Sequence, residues 1–416
     1  MMVPKMQREI LDVCLQELSE PIITLVDPFA GSGTVLVEGM LRGLDIIGID
    51  INPLAVLLCK VKTTIVDPMK LKEKAQQVLG RIKNTDDVVL HQFEGINKWF
   101  TGRAIEDLSI IRSGITLEED VVFRRFFWAS FCEVVRLVSN SRDCTYKLHI
   151  KEKSDIDNYD KDALELFEST LLFNIEKYNE FYELLKERGF IGKRGKTYTG
   201  KVQIICEDSI SYLKRAKKKY DLVITSPPYG DNHTTVTYGQ YSILPLRWID
   251  YRDIEADING DLLATQCEID NESLGGQSSN TSLTDDRKKI VEKSAVLKNH
   301  KEEIDKIDPN LTNKLVAFYS DYDLFLAALS KRMKPEGISV WTLGNRKIAK
   351  KEILMDRIMI DLANQYNMDL VTDFTRNITH KRMPEMGGYA GNEKGQQGTM
   401  TREHIQVYVR SNADHE

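Results

Sequence analysis

Paired cysteines are missing from this chain: the six present, at 14, 59, 132, 144, 206 and 267, stand far apart and form no CxxC. A zinc ribbon is excluded and a disulfide framework is unsupported, which makes a reducing cytoplasm the expected compartment. No stretch approaches the roughly 18 apolar residues of a membrane span. Residues 1–25 lack the basic-then-apolar design of a secretion signal. The seven histidines show no HExxH spacing, so no metal site is expected. Also absent are the GxGxxG of dinucleotide-binding folds and the lysine of a phosphate-binding P-loop, and both readings lose ground.

What is present is ordinary globular material. With 416 residues the chain allows about two to three domains, or one large domain with insertions. Hydrophobic residues make up 42% and charged residues 29%, within soluble globular usage. The 57 Lys and Arg against 63 Asp and Glu leave −6, a total that by itself argues against a nucleic-acid partner. The distribution points the other way. Residues 186–219 hold 11 basic and 3 acidic side chains, net +8, so the remainder sums to −14. A basic strip of that kind can neutralise phosphates even on an acidic protein.

Hydrophobic periodicity organises the chain as α/β. A helix over Gln7–Leu18 precedes a buried strand at Ile22–Val26, a glycine turn, a helix to about Arg42 and a second strand at Asp45–Asp50. From 76 to 200 the pattern is helical and polar, with aromatic clusters at Trp99–Phe100 and Phe126–Trp128 that read as core. Strands resume at Val202–Cys206 and Asp221–Thr225. The segment 231–310 is turn-rich and acidic, and a helix over Leu315–Met333 stops at Lys334–Gly337. A strand at Ile338–Leu343, a helix at Met355–Tyr366 and strands at Asp369–Phe374 and Ile405–Val409 complete the core. The expected architecture is one doubly wound, Rossmann-like sheet (1–75 and 201–416) carrying a mainly helical insertion (76–200), a candidate DNA-recognition region.

Three turns carry chemistry. In Asp27–Pro28–Phe29–Ala30–Gly31–Ser32–Gly33–Thr34, the glycines let the backbone turn sharply and bring a ligand against a helix N-terminus. Asp50, about 20 residues on at the end of the second strand, is placed to accept hydrogen bonds from ribose hydroxyls. After the third recognisable strand, Glu207 or Asp208, of which Asp208 is preferred, could accept from an adenine amino group. Ser226–Pro227–Pro228–Tyr229 ends the next strand. Its prolines fix the chain and free a carbonyl that no ladder can use. A planar amine could donate to the Ser226 hydroxyl and the Pro227 carbonyl, with Tyr229 as a stacking face.

The Asp27–Thr34 turn, Gly48–Ile49–Asp50–Ile51–Asn52–Pro53 and Thr225–Ser226–Pro227–Pro228–Tyr229 together resemble the motifs of amino-group DNA methyltransferases, and the Ser form of the proline turn resembles their N4-cytosine branch. Val236–Gly239 through Leu244–Trp248, Arg136–Arg142 to Lys147–His149, His380–Pro384 and Thr399–Glu403 also look like blocks of that family. The family's longer opening motif is represented only by Val3–Pro4–Lys5–Met6. The resemblance implies S-adenosylmethionine as cofactor, held by Asp27, Phe29, Gly31, Gly33, Thr34, Asp50, Asn52 and Asp208. Ser226, Pro227, Pro228 and Tyr229 would then be the catalytic turn holding an extruded base. Double-stranded DNA is the implied partner and a cognate restriction endonuclease a candidate one. Arg136, Asn140, Arg142, Lys147, Lys193, Arg194, Lys196, Lys381 and Arg382 are the candidate nucleic-acid contacts. Rival readings are an N6-adenine enzyme, a tRNA guanine-N2 methyltransferase and a non-catalytic nucleic-acid-binding descendant.

Overall fold

Short apolar, β-branched runs flanked by turn residues form the sheet of this protein, seen in a computed structural model that describes all residues except 1–3, 18–22, 143–144, 158–160, 234, 277–284, 379–385, 388–396, 399–401 and 412–416. The strands are β1 (Thr24–Asp27), β2 (Asp45–Asp50), β3 (Val202–Cys206), β4 (Tyr220–Thr225), β5 (Met333–Leu343), β6 (Arg346–Ile348), β7 (Lys351–Ile353), β8 (Met368–Asn377), β9 (Met386–Gly387), β10 (Gln397–Gly398) and β11 (Arg402–Arg410). Seven of them form one sheet in the order β3-β2-β1-β4-β5-β11-β8. The β2–β3, β1–β4 and β4–β5 pairs are parallel, and β11 runs antiparallel to both β5 and β8. This is the expected α/β class, mainly parallel with an antiparallel edge. Among the described residues no helix is long and apolar enough to cross a membrane.

The chain divides into two compact units, Met1–Phe29 with Glu207–Thr237 and Asp270–Glu416, and Ala30–Cys206 with Tyr238–Ile269. The first contains β1, β4, β5, β8 and β11. Its core centres on Phe318, Tyr322 and Phe325 of helix Pro309–Ser330, with Trp341 of β5 6.0 Å from Phe325 between ring centroids. The helix expected over Leu315–Met333 ends at Ser330, and the strand expected at Ile338–Leu343 begins already at Met333, so Lys334–Gly337 lies inside the strand. Those residues bulge between the Tyr220–Met333 and Leu222–Ile338 pairs, where Glu336 takes a positive φ of 62°. The basic run 214–219 is split between a helix end and the approach to a strand. Helix Ser209–Arg215 ends at Ala216, whose extended ψ of 143° breaks it, and Lys217–Lys219 lead exposed into β4.

The second unit holds β2, β3 and the helices Pro68–Lys83, Gly102–Thr116, Val121–Val138 and Ala163–Glu187. Trp99, Phe100, Phe126, Phe127 and Trp128 are buried, as their clustering implied. Within the turn-rich segment 231–310 lies an unforeseen helix, Tyr238–Trp248, which continues through Pro245. It is held by burial: Trp248 meets Phe93, Phe100 and Phe131 edge-on at 5.4–6.2 Å between centroids.

One buried ion pair ties these helices together. Asp253 accepts from Arg124 Nε at 2.8 Å, from Arg124 Nη2 at 2.6 Å and from Trp128 Nε1 at 2.7 Å. Burial alone would raise its pKa. The bonds from Arg124 and Trp128 outweigh that and hold the carboxyl below its ordinary 3.8. A depressed carboxyl contributes stability that is complete above that ordinary value and is lost as pH falls through the folded-state value. Asp253→Asn should lower unfolding stability at pH 7 by about 3 kcal/mol, since Arg124 is left uncompensated. Urea melts should show that deficit shrinking below pH 3.8; a variant as stable as the parent at pH 7 would contradict this.

Candidate active site

The glycine turn is built by its own backbone and by an acid. Gly31 (φ 51°) and Gly33 (φ 74°) occupy the left-handed region, which side chains with a Cβ rarely adopt. Asp50, at the carboxyl end of β2, accepts from Gly31 N–H through Oδ2 at 2.8 Å and from Asn52 N–H through Oδ1 at 2.9 Å. Burial pushes its carboxyl above the ordinary carboxylate range, and the N–H groups of Asn52, Gly31 and Ile51 pull it partly back. Asn52 caps helix Pro53–Thr63 by accepting from Leu54 N–H at 3.0 Å, and its amide donates to Ser242 Oγ at 2.7 Å. Cys59 Sγ donates to the Gly31 carbonyl and Lys62 Nζ to the Ser32 carbonyl, so helix Pro53–Thr63 clamps the turn from one side. Thr34 opens helix Thr34–Met40, directly after Gly33. Thus Gly31, Gly33, Thr34, Asp50 and Asn52 come together in the second unit.

A second constellation forms in the first unit. Asp27, the last residue of β1, is fully buried; its Oδ1 accepts from Phe29 N–H at 3.1 Å and from Thr225 Oγ1 at 2.7 Å. That bond joins the ends of two parallel strands, β1 and β4, immediately before Ser226. Phe29 lies against Phe325, centroids 4.9 Å apart, and the Pro28 carbonyl accepts from Ser209 Oγ. Beyond β4, Ser226 Oγ and the Tyr229 hydroxyl share a hydrogen bond of 3.2 Å. The Tyr229 hydroxyl donates to Glu403 Oε1 at 3.3 Å, and Arg376 Nε donates to Glu403 Oε2 at 2.9 Å. Glycine is required next in sequence: Gly230 has φ 155°, and a Cβ there would sit 2.3 Å from the guanidinium carbon of Arg346, which pairs with Asp231 at 3.2 Å.

Asp208 caps helix Ser209–Arg215 by accepting from Ser211 N–H at 2.8 Å, and Glu207 pairs with Arg215. Burial pushes the Cys206 thiol up to about 12, which disfavours its thiolate. Of the candidate nucleic-acid contacts, Asn140 is buried, donating to the Lys98 carbonyl at 3.3 Å, and Arg142 pairs with Glu152 at 3.0 Å. Arg136 lies over the Tyr241 ring. Lys147, Lys193, Arg194 and Lys196 are exposed. Lys381 and Arg382 lie outside the described residues, as do His380–Pro384 and 399–401 of the family-like blocks. Glu403, Arg376, Asp231 and Arg346 were not singled out from the sequence. Their only signal was that Glu403 ends the family-like block Thr399–Glu403.

The fold, with turns at the carboxyl ends of β1 and β4, defines a Rossmann-like α/β protein. No family model matches the chain. The chain is 32% identical to the type II methyltransferase M.MvaI of Kocuria varians over 419 aligned positions, covering 97% of this chain and 88% of that one. A second relative, the type II methyltransferase M.MjaII of Methanocaldococcus jannaschii, is 44% identical over 59 residues, 14% of this chain and 11% of that one. Among solved structures, the rRNA methyltransferase AviRa of Streptomyces viridochromogenes aligns at 12% identity with a TM-score of 0.34, covering 98% of this chain and 85% of that one. The chain belongs to the type II methyltransferases.

The turn geometry makes a direct prediction. Gly33→Ala places a Cβ 3.1 Å from Cys59 Sγ at a left-handed φ, and should destabilise by about 1–2 kcal/mol. Gly80→Ala, within helix Pro68–Lys83 and with nothing inside 4 Å of its Cβ, should stabilise by up to about 1 kcal/mol. Denaturant midpoints moving the same way for both would contradict the assigned constraint.

Proposed function

We propose that this methyltransferase transfers a methyl group from S-adenosylmethionine to the exocyclic N4 amine of cytosine in double-stranded DNA, as the modifying partner of a cognate restriction endonuclease. The observation that carries this reading is the Ser226–Pro227–Pro228–Tyr229 turn at the end of β4, braced behind by the Asp27–Thr225 bond and in front by Glu403. The glycine turn suits the cofactor: its positive-φ glycines hold a sharp turn before a helix N-terminus, and Asp50 is a strand-end carboxylate already ordered by two N–H groups. Gly31, Gly33, Thr34 and Asn52 would bind beside it. Asp27 and Phe29 would shape the entry to the turn, and Asp208 would use the oxygen not engaged in capping toward the adenine amine.

The cofactor, when bound, supplies an activated methyl group. The protein's own work is positioning. With Ser226 Oγ and the Pro227 carbonyl each accepting one amine N–H, the nitrogen lone pair is directed away from the turn. Tyr229 offers its ring to the face of the base, which must leave the duplex stack to expose its amine. In the transfer the amine nitrogen would bond to the methyl carbon as that carbon's bond to the sulfonium sulfur breaks. The neutral thioether S-adenosylhomocysteine would leave, and the surplus N–H proton would pass to solvent, so no protein nucleophile is needed. Lys147, Lys193, Arg194 and Lys196 are proposed to meet phosphates.

Ser226→Ala and Tyr229→Ala should each reduce methylation of duplex DNA by about 100-fold or more. Their affinity for S-adenosylmethionine, measured by calorimetry, should stay within about threefold of the parent. Methylation at the parent rate by both variants would overturn the assignment of the catalytic turn.

A further inference from the structure

Three tyrosine rings meet at the surface of the second unit. Tyr238 and Tyr241 stand three residues apart on helix Tyr238–Trp248, so they share one face. Tyr146 comes from the loop closed by the bridge between Ser141 and Ile150. The Tyr146 ring lies 5.5 Å from that of Tyr241 and 6.3 Å from that of Tyr238, between centroids. All three are exposed, at 40%, 43% and 37% for Tyr146, Tyr238 and Tyr241. The loop and the helix are pinned to each other, because Leu148 N–H donates to Gln240 Oε1 at 3.1 Å.

Isolated exposed aromatics are ordinary, whereas Tyr146 in contact with both Tyr238 and Tyr241 makes a patch that water penalises. The surroundings say what covers it. The Arg136 guanidinium carbon lies 4.2 Å from the Tyr241 ring centroid, and Lys147, next to Tyr146 in the chain, is exposed. Residues 136–153 carry five basic and two acidic side chains. Stacking faces among cations suit an aromatic, polyanionic partner, which is the chemistry of an unpaired stretch of nucleic acid. Opening a duplex to expose an amine leaves bases without their stacking neighbours, and a tyrosine face replaces that contact for any base.

We propose that Tyr146, Tyr238 and Tyr241, with Arg136 behind Tyr241, form a stacking platform for bases unpaired when the target DNA opens. This rests on the DNA-methyltransferase reading above for its partner, but its test needs no turnover. The full chain and the double variants Tyr146→Ala/Tyr241→Ala and Tyr146→Phe/Tyr241→Phe would be titrated by fluorescence anisotropy at one salt concentration. The probes are a fully paired duplex, the same duplex with a short mismatched bubble, and a single strand. The parent should prefer the bubble and the single strand. The alanine pair should lose about tenfold or more of affinity for these two, with little change on the paired duplex, while the phenylalanine pair, which keeps both rings, should retain it. Thermal midpoint and cofactor affinity establish that the alanine pair is folded.

A folded alanine pair that binds the bubble within twofold of the parent would overturn the platform. So would a change in oligomeric state with unaltered DNA binding, which would make the patch a protein interface. If Ser226→Ala retained methylation while the alanine pair lost bubble binding, the catalytic-turn reading would fail and the platform would stand.

Discussion

Asp50 holds two backbone N–H groups that no helix or strand would otherwise satisfy in place, one from Gly31 and one from Asn52. Through the first it sets the course of the glycine turn; through the second it starts helix Pro53–Thr63, which returns Cys59 and Lys62 to brace the same turn. A single carboxylate thus couples a strand end, a turn and a helix cap. Its burial costs ionisation energy, reflected in the upward shift of its pKa, and the N–H donors repay part of it. On the proposed function such preorganisation would favour binding, because a turn already held in one shape has little ordering left to do.

The other unit uses the same device with a different pair. Asp27 and Thr225, both fully buried, link the ends of β1 and β4. Parallel strands so joined present their next residues at a fixed height, and on β4 those residues are Ser226 and the two prolines. Glu403, itself neutralised by Arg376, then restrains the Tyr229 hydroxyl. Methyl transfer to an amine asks the protein for alignment more than for acid–base chemistry. On the proposed function, a turn fixed by two prolines, a buried strand-end bond and an ion-paired carboxylate would supply that alignment.

Much of this was legible from sequence because it is local. The glycine turn, Asp50, Asn52 and the proline turn each occupy a few consecutive residues at the end of an apolar run, and periodicity placed those runs correctly. Distant partners were not legible. Tyr229 and Glu403 stand 174 positions apart, and nothing in either neighbourhood names the other. Lys334–Gly337 signals the stop of the preceding helix, which does end at Ser330, but the same residues are taken into the strand as a bulge. Helix Tyr238–Trp248 was hidden by Pro245 and revealed only by the burial of Trp248. Asp208 carried two messages: followed by Ser211 it is a helix cap, and the structure shows it doing that work. Asn140 likewise proves to be engaged with backbone.

The charge arithmetic ends in the same place. A total of −6 misdescribes a chain whose 186–219 strip carries +8, and whose Lys193, Arg194 and Lys196 are exposed. The central claim is chemical, and one measurement addresses it: incubate the protein with DNA and S-adenosylmethionine carrying an isotopically labelled methyl group, digest to nucleosides and weigh the products. The account predicts label in N4-methyldeoxycytidine. Label confined to N6-methyldeoxyadenosine, label appearing only when RNA is supplied, or no label at all would contradict it.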